Sequence, residues 1–351
     1  MFNYNFYCIG KLFFEITHCN SKERFKCTFY DGSLKLYEAT LGTNEWMSTD
    51  SRKYIGNYFV HVESLSTGKI TIISFLEHLK GKRVYISFGS SSLGDTIAWM
   101  PYCLEFQNKY ECKVIVSTFK NYLFDYPELE FVKPGDIVNN IVAMPEIGWH
   151  WDYTKEPENP ATVPLQKAAT NILYLDYVEI RPKLVKNQTR VIEEKYICIS
   201  TKSTSQCKHW YYWKELIIEL KKLGYRVIEL SQDADDFGAE YIEDKSLNNV
   251  MNYLKYCDFY IGLSSGISWL AWAMNVKVYM ISNFTENDHE FECIRIDNRN
   301  VCNGCWNNPK FKFDKGNWWY CPEHEDTPRQ FECHKSISCS DVLKKLDTGH
   351  S

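Results

Sequence analysis

No apolar run in this sequence reaches the roughly 20 residues that a helix needs to cross a bilayer. Residues 1–20 are aromatic but interrupted by Asn3, Asn5, Lys11, Glu15 and His18, without the basic start or clean apolar block of a secretory signal. Long basic runs are also missing. The 40 Lys and Arg stand against 45 Asp and Glu, a formal net charge of −5, which argues against a nucleic-acid partner. Low-complexity segments are absent too. Together these absences point to a folded protein of the reducing cytosol with no membrane span. Its 14 cysteines then read as thiols or metal ligands before they read as a disulfide framework.

What is present begins with those cysteines. Cys302-Asn303-Gly304-Cys305, then Cys321 and Cys333, give a C-x2-C-x15-C-x11-C spacing near the C-terminus. Two thiolates separated by two residues on a tight turn can bind one metal ion, and a second pair further on closes a tetrahedral S4 site. Gly304 suits such a turn, where a positive φ is often needed and glycine takes it freely. Trp306, Trp318, Trp319, Pro309 and Pro322 surround the ligands with little periodicity, so the segment should draw most of its order from the metal. A metal knuckle is favoured over two disulfides or unrelated thiols. Cys339 is the reserve for the fourth ligand. It stands just ahead of the amphipathic stretch 340–346, which reads as a helix capped by Ser340, whereas Cys333 falls in the preceding loop. Softness and geometry admit zinc or iron alike.

Four regions emerge along the chain. Residues 1–78 read as a small all-β domain, with Asp31-Gly32-Ser33 as a hairpin turn between Lys26–Tyr30 and Leu34–Tyr37. Residues 79–190 change grammar. The apolar run Arg83–Phe88 leads through a polar loop into a helix, and Cys112–Val116 is again a strand, as in a doubly wound parallel sheet. Residues 191–292 repeat the alternation, with strands at 196–200, 225–230, 259–263 and 276–281. The stretch 145–164 is rich in Pro, Trp and Glu and reads as loop. Residues 293–351 hold the cysteine finger and a C-terminal helix. Two Rossmann-like halves in tandem are the architecture of a two-domain glycosyltransferase with an interdomain cleft.

Open parallel sheets bind ligands at the carboxyl edge of their strands, and two sets of residues occupy that edge. Asp95 lies where a strand hands over to a helix and can take a proton from an acceptor hydroxyl, although a helix start favours an aspartate in any case. The helix end should also lower its pKa. In the second half, Ser264-Ser265-Gly266-Ile267-Ser268 opens a helix whose amides, hydroxyls and glycine form a cradle suited to a diphosphate. Lys208, after the polar loop that begins at Thr201, can face the same anion.

The stretch Ser90-Ser91-Ser92-Leu93-Gly94-Asp95 with Pro101 resembles the S-S-L-G-D-x5-P signature of the family-9 heptosyltransferases of lipopolysaccharide synthesis. Lys208-His209-Trp210 resembles their K-x-W segment, and Ser264 to Ala271 their phosphate-binding turn. The N-terminal β region, the cysteine tail, Pro164–Ala169 and Glu179–Lys183 look like those of the bacterial autotransporter O-heptosyltransferases. The resemblance spans nearly the whole chain. It implies a GT-B fold and inverting transfer of heptose from ADP-heptose to serine hydroxyls of an autotransporter adhesin passenger. It also implies one iron ion per subunit on Cys302, Cys305, Cys321 and Cys333, and a large homo-oligomer. By motif match Asp95 is the general base, and Lys208, Thr201, Ser264, Ser265, Gly266 and Ser268 bind the nucleotide sugar and its phosphates. The turn departs from the lipopolysaccharide enzymes, which usually carry Asp-Thr-Gly where Ser264-Ser265-Gly266 stands and His where Trp269 stands. Two rivals share the sequence features: a lipopolysaccharide-type enzyme acting on a glycolipid, and a non-catalytic, metal-stabilised assembly protein with a transferase fold.

Overall fold

The computed structural model describes residues 2–20, 22–152, 155–311 and 320–348; Trp318 and Trp319 lie outside the described residues. The N-terminal region contributes strands β1 (Asn3–Cys8), β2 (Lys11–His18), β3 (Phe25–Asp31), β4 (Leu34–Leu41), β5 (Glu45–Ser51), β6 (Tyr58–Ser64) and β7 (Ile70–Ser74), then a one-turn helix α1 (Phe75–His78). β3 and β4 form the expected hairpin, with Asp31 opposite Leu34. They belong to an antiparallel four-stranded sheet of order β4-β3-β6-β7. Strict alternation along β6 buries Tyr58, Val60 and Val62 on one face, as a half-buried strand requires.

The next region carries β8 (Arg83–Phe88), α2 (Leu93–Trp99), α3 (Pro101–Tyr110), β9 (Lys113–Ser117), β10 (Glu130–Val132), β11 (Ile141–Ala143), β12 (Glu146–Ile147) and α4 (Leu165–Leu173). Its strands run parallel in the order β10-β9-β8-β11. Here the structure departs from a free-standing β domain over 1–78. β1 pairs in parallel with β11, Cys8 opposite Ala143, and β2 and β5 add antiparallel strands beyond it. One eight-stranded sheet therefore crosses the expected boundary. β1 is a good partner for β11 because its inward residues Phe6 and Cys8 are buried in the same core as Val84, Ile86 and Ala143.

The second half follows with β13 (Tyr196–Ser200), α5 (Trp213–Lys222), β14 (Arg226–Glu229), β15 (Glu240–Tyr241), α6 (Leu247–Tyr256), β16 (Tyr260–Leu263), α7 (Gly266–Ala273), β17 (Val278–Ile281) and β18 (Ile294–Ile296). These strands form an all-parallel sheet of order β15-β14-β13-β16-β17-β18. Every residue of β13, β16 and β17 is buried, which is why these central strands read as continuous rather than alternating apolar runs.

The halves meet where the first turns of α2 and α7 press together. A Cβ on Gly266 would lie 2.7 Å from Leu93 Cβ and 3.2 Å from the Gly94 nitrogen, and one on Gly94 would lie 3.0 Å from Trp269 Cδ1. Gly266 thus serves helix-to-helix contact. Gly266→Ala is expected to push α2 off α7 at a cost of about 1–3 kcal/mol, the usual range for overpacking. A fall in denaturant midpoint would register the cost, and a loss of transfer activity would register the displacement of Asp95.

At the C-terminus, α8 (Glu332–Lys335) carries Cys333, which the sequence reading placed in a loop. α9 (Cys339–Thr348) is capped by Ser338 rather than Ser340. The Ser338 Oγ accepts from the Asp341 amide at 3.3 Å, and Asp341 Oδ2 accepts in return from the Ser338 amide at 2.9 Å, a reciprocal box. α9 seals the second half, with Ile337, Cys339, Val342 and Leu346 buried among Trp210, Trp213 and Ile217.

Candidate active site and metal segment

Asp95 sits in the first turn of α2, half-buried, at the carboxyl edge of β8. The Ser90 hydroxyl donates to its Oδ2 at 2.5 Å and the Trp149 indole N–H donates to the same atom at 2.9 Å. Burial raises its pKa above the usual carboxylate range, against these two hydrogen bonds and the charges of Lys208 and Lys120. The helix end alone suggested the opposite direction. Desolvation wins because the loop after β8, Trp149 and α7 together strip water from the carboxylate. A base with a raised pKa is better matched to proton abstraction than one at an ordinary carboxylate value.

Lys208 ends a 3₁₀ turn (Gln206–Lys208) after β13, and its Nζ donates to Ser264 Oγ at 3.2 Å. Ser264 donates in turn to Glu290, which also accepts from Thr285 Oγ1 at 3.0 Å and forms an ion pair with Arg295. Burial pushes the Glu290 pKa up, but Arg295, His289, Ser264 and Lys208 outweigh it and hold the carboxylate near 2. Glu290 is therefore a fixed buried anion, anchoring one lysine and one arginine behind the start of α7. Burial lowers the pKa of Lys208, opposed by Glu290 and Asp95. It also lowers that of His289, opposed by Glu290.

The structure gathers Asp95, Lys208, Ser264, Ser265 and Gly266 at the junction of the halves. Ser265 caps α7 in extended backbone, φ −150° and ψ 168°, without a side-chain capping bond. One sequence-selected residue faces elsewhere. Ser268 is fully buried and donates to the Leu263 carbonyl at 2.5 Å, so its hydroxyl is committed inside the fold. Thr201 is buried beside Glu229, its amide donating to the carboxylate at 3.3 Å. Trp210 of the K-x-W segment is a core residue whose indole donates to the Ile337 carbonyl at 2.8 Å. The sequence reading missed Trp149, Lys120, Glu290, Arg295 and His289. Trp149 carried a signal, standing in a Trp-rich loop that was given no role.

In the metal segment, Gly304 does take a positive φ, 68°. Its amide donates to the Asn283 carbonyl at 2.8 Å, and the Trp306 amide donates to that of Phe284 at 3.0 Å. Asn283 Nδ2 donates to the Cys333 carbonyl at 2.6 Å, tying the two ends of the segment to one loop. The four selected cysteines come into one neighbourhood: Cys305 senses the charges of Cys302, Cys333 and Cys321, and Cys333 those of Cys302 and Cys321. Burial first, then Glu332 and Cys321, pushes Cys302 up to about 12, and burial followed by Cys302 and Cys321 does the same for Cys333. Crowded buried thiols of this kind suit a cation, which alone offsets several thiolate charges. Among the described residues the group of three or more potential ligands with all ligand atoms within 4.8 Å of one another is a different one, Cys302, His324 and Glu332. Cys339 lies apart, in the core at the first position of α9.

The description of glycosyltransferase family 9 (heptosyltransferase) matches residues 150–318. Over 325 residues the chain is 34% identical to the autotransporter heptosyltransferase Aah of Escherichia coli, spanning 86% of this chain and 83% of Aah. The chain belongs to the autotransporter heptosyltransferase family. It is a glycosyltransferase, and its fold is GT-B with an added N-terminal β region. The crystal structure of TibC from enterotoxigenic E. coli H10407, an iron-containing dodecameric glycosyltransferase, superposes with a TM-score of 0.86 at 30% identity, covering 99% of this chain and 96% of TibC. A second TibC structure, in complex with ADP-D-beta-D-heptose, gives 0.85 at 29% identity, covering 99% of this chain and 95% of that one. The family also includes a relative described as inactive, BimC of Burkholderia thailandensis, 26% identical over 89% of this chain and 78% of BimC.

Proposed function

We propose that this autotransporter heptosyltransferase moves heptose from ADP-heptose to serine hydroxyls of an adhesin passenger, with inversion at the anomeric carbon. The observation that carries the reading is the meeting of a pKa-raised carboxylate, Asp95, with a half-buried lysine, Lys208, where the N-termini of α2 and α7 touch. The complex of TibC with ADP-D-beta-D-heptose supports the donor.

In this mechanism Asp95 accepts the serine proton as the hydroxyl attacks from the face opposite ADP. Lys208 and the amides of Ser265 and Gly266 stabilise the diphosphate as it leaves, where negative charge develops. Ser264 and Glu290 hold the Lys208 ammonium in place. One iron ion per subunit on Cys302, Cys305, Cys321 and Cys333 would cross-link the segment without entering the reaction, since four thiolates leave no open position. The iron-containing, dodecameric TibC supports iron over zinc and a large homo-oligomer. A cytosolic setting fits the 14 cysteines, none of which forms a disulfide among the described residues.

The test is the intact mass of an autotransporter passenger fragment after incubation with the protein and ADP-heptose. Increments of one heptosyl unit are expected. Donor binding without any increment would shift the reading to a glycolipid acceptor. Absence of donor binding would favour the non-catalytic alternative, which the inactive relative BimC keeps in play.

A further inference from the structure

The mechanism above uses neither Trp149 nor the tryptophan that follows a candidate metal ligand, yet the two stand in line with Asp95. Trp149 comes two residues after β12, and its indole N–H shares Asp95 Oδ2 with Ser90. Its ring packs against three others: Trp306, edge-on at 5.4 Å between centroids, Trp99, at 6.2 Å, and Trp151, stacked at 6.3 Å. Trp306 is buried, directly follows Cys305, and packs in turn against Phe284 and His289. An indole held by three neighbouring rings keeps one orientation, so its N–H stays aimed at the carboxylate rather than free to turn. Both donors address Oδ2, and among the described residues no hydrogen bond reaches Oδ1. The carboxylate is thereby fixed about its own axis, with Oδ1 left for the acceptor proton.

We infer that Trp149 is a positioning residue for Asp95 and that Trp306 links the metal segment to it, so that the order of the finger sets the placement of the base. This rests on the assignment of Asp95 as base. It deepens that reading, because it gives the cysteine finger a route into the rate of the reaction besides holding the fold together.

The test is Trp149→Phe, which keeps the ring packing and deletes the N–H, assayed with ADP-heptose and a passenger fragment across pH. Charged groups facing Asp95 are Lys208 from the turn after β13 and Lys120 from the loop after β9, and both are retained in the variant. The lost N–H stabilised the charged carboxylate, so the pKa of the base rises and the acidic limb of kcat/KM moves to higher pH. Removing a hydrogen bond to a charged group should lower kcat about ten-fold, with the donor KM unchanged. Trp306→Leu should reproduce the pH shift at unaltered iron content, while Trp306→Phe, which keeps a ring against Trp149, should not. Melting curves and donor binding for each variant separate these effects from unfolding. An unmoved pH profile in Trp149→Phe overturns the inference, and a shift there but not in Trp306→Leu overturns the link to the finger. Asp95→Asn assayed alongside distinguishes the two levels. If it is inert while Trp149→Phe behaves as wild type, the base assignment stands and the inference falls; if Asp95→Asn is active, the base assignment itself falls.

Discussion

Asp95→Asn is expected to lower the rate of transfer by about 10²- to 10⁴-fold, the usual contribution of a positioned general base. The substitution keeps the size of the side chain, and the amide oxygen can still accept from Ser90 and Trp149. What it removes is the capacity to take a proton and the negative charge facing Lys208 and Lys120. Donor affinity should change little, because the diphosphate contacts assigned to Lys208 and the start of α7 remain. Removing a carboxylate that is costly to bury should leave the melting temperature the same or higher. The informative measurement is therefore single-turnover transfer at saturating ADP-heptose, beside a donor titration. Wild-type turnover with folding unchanged would remove Asp95 from the chemistry. A loss of donor binding instead of turnover would place it in recognition of the sugar.

The second large effect concerns the cysteine finger. Cys305→Ser is expected to abolish iron binding, to lower the melting temperature sharply, and to weaken self-assembly. In zinc-finger peptides metal binding contributes on the order of 10–16 kcal/mol to folding. Here the segment is also pinned by Asn283 to Cys333 and by Gly304 and Trp306 to the 283–284 loop, so part of its order survives without metal. The expected loss is accordingly several kcal/mol rather than the full amount. Cys333→Ser should behave likewise, whereas Cys339→Ser, in the core at the start of α9, should retain the metal. Iron quantification with melting curves for these three variants assigns the fourth ligand directly. Chelated protein that melts, assembles and reacts like the untreated form would end the structural role. The closeness of Cys302 to His324 and Glu332 adds a check: His324→Ala should keep its iron if the four cysteines suffice.

Much of the second half was legible because its central strands are buried on both faces. A run such as Tyr196-Ile197-Cys198-Ile199 has no polar alternation to confuse it, and the β3–β4 hairpin announces itself through Asp31-Gly32. The sheet that joins β1 to β11 was not legible. Its decisive pairing links Cys8 to Ala143 across most of two regions, and local pattern carries no information about such distant partners. The site divides in the same way. Asp95 and Lys208 stand out by position after strands, whereas Glu290 and Arg295 matter only because the fold brings them behind Ser264. The direction of the Asp95 pKa failed for the same reason: the helix end is local, but the burial that outweighs it is supplied by Trp149 and the opposite half. Gly266 was recognised as a close-approach residue, but the close approach is to Leu93 and Gly94. Ser268 looked like part of the cradle in a one-dimensional reading, although its place on α7 turns it toward the Leu263 carbonyl.

The continuous sheet has a bearing on how such a protein can be inherited and rebuilt. Because β1 lies between β11 and β2, the N-terminal region is not a cassette that can be clipped off a family-9 core or spliced onto one. A chain beginning at residue 79 would bare the hydrogen-bonding edge of β11, and uncovered edges recruit strands from other molecules. Any lineage that acquired or shed this region had to re-cover that edge in the same step, and any chimera has to do so as well.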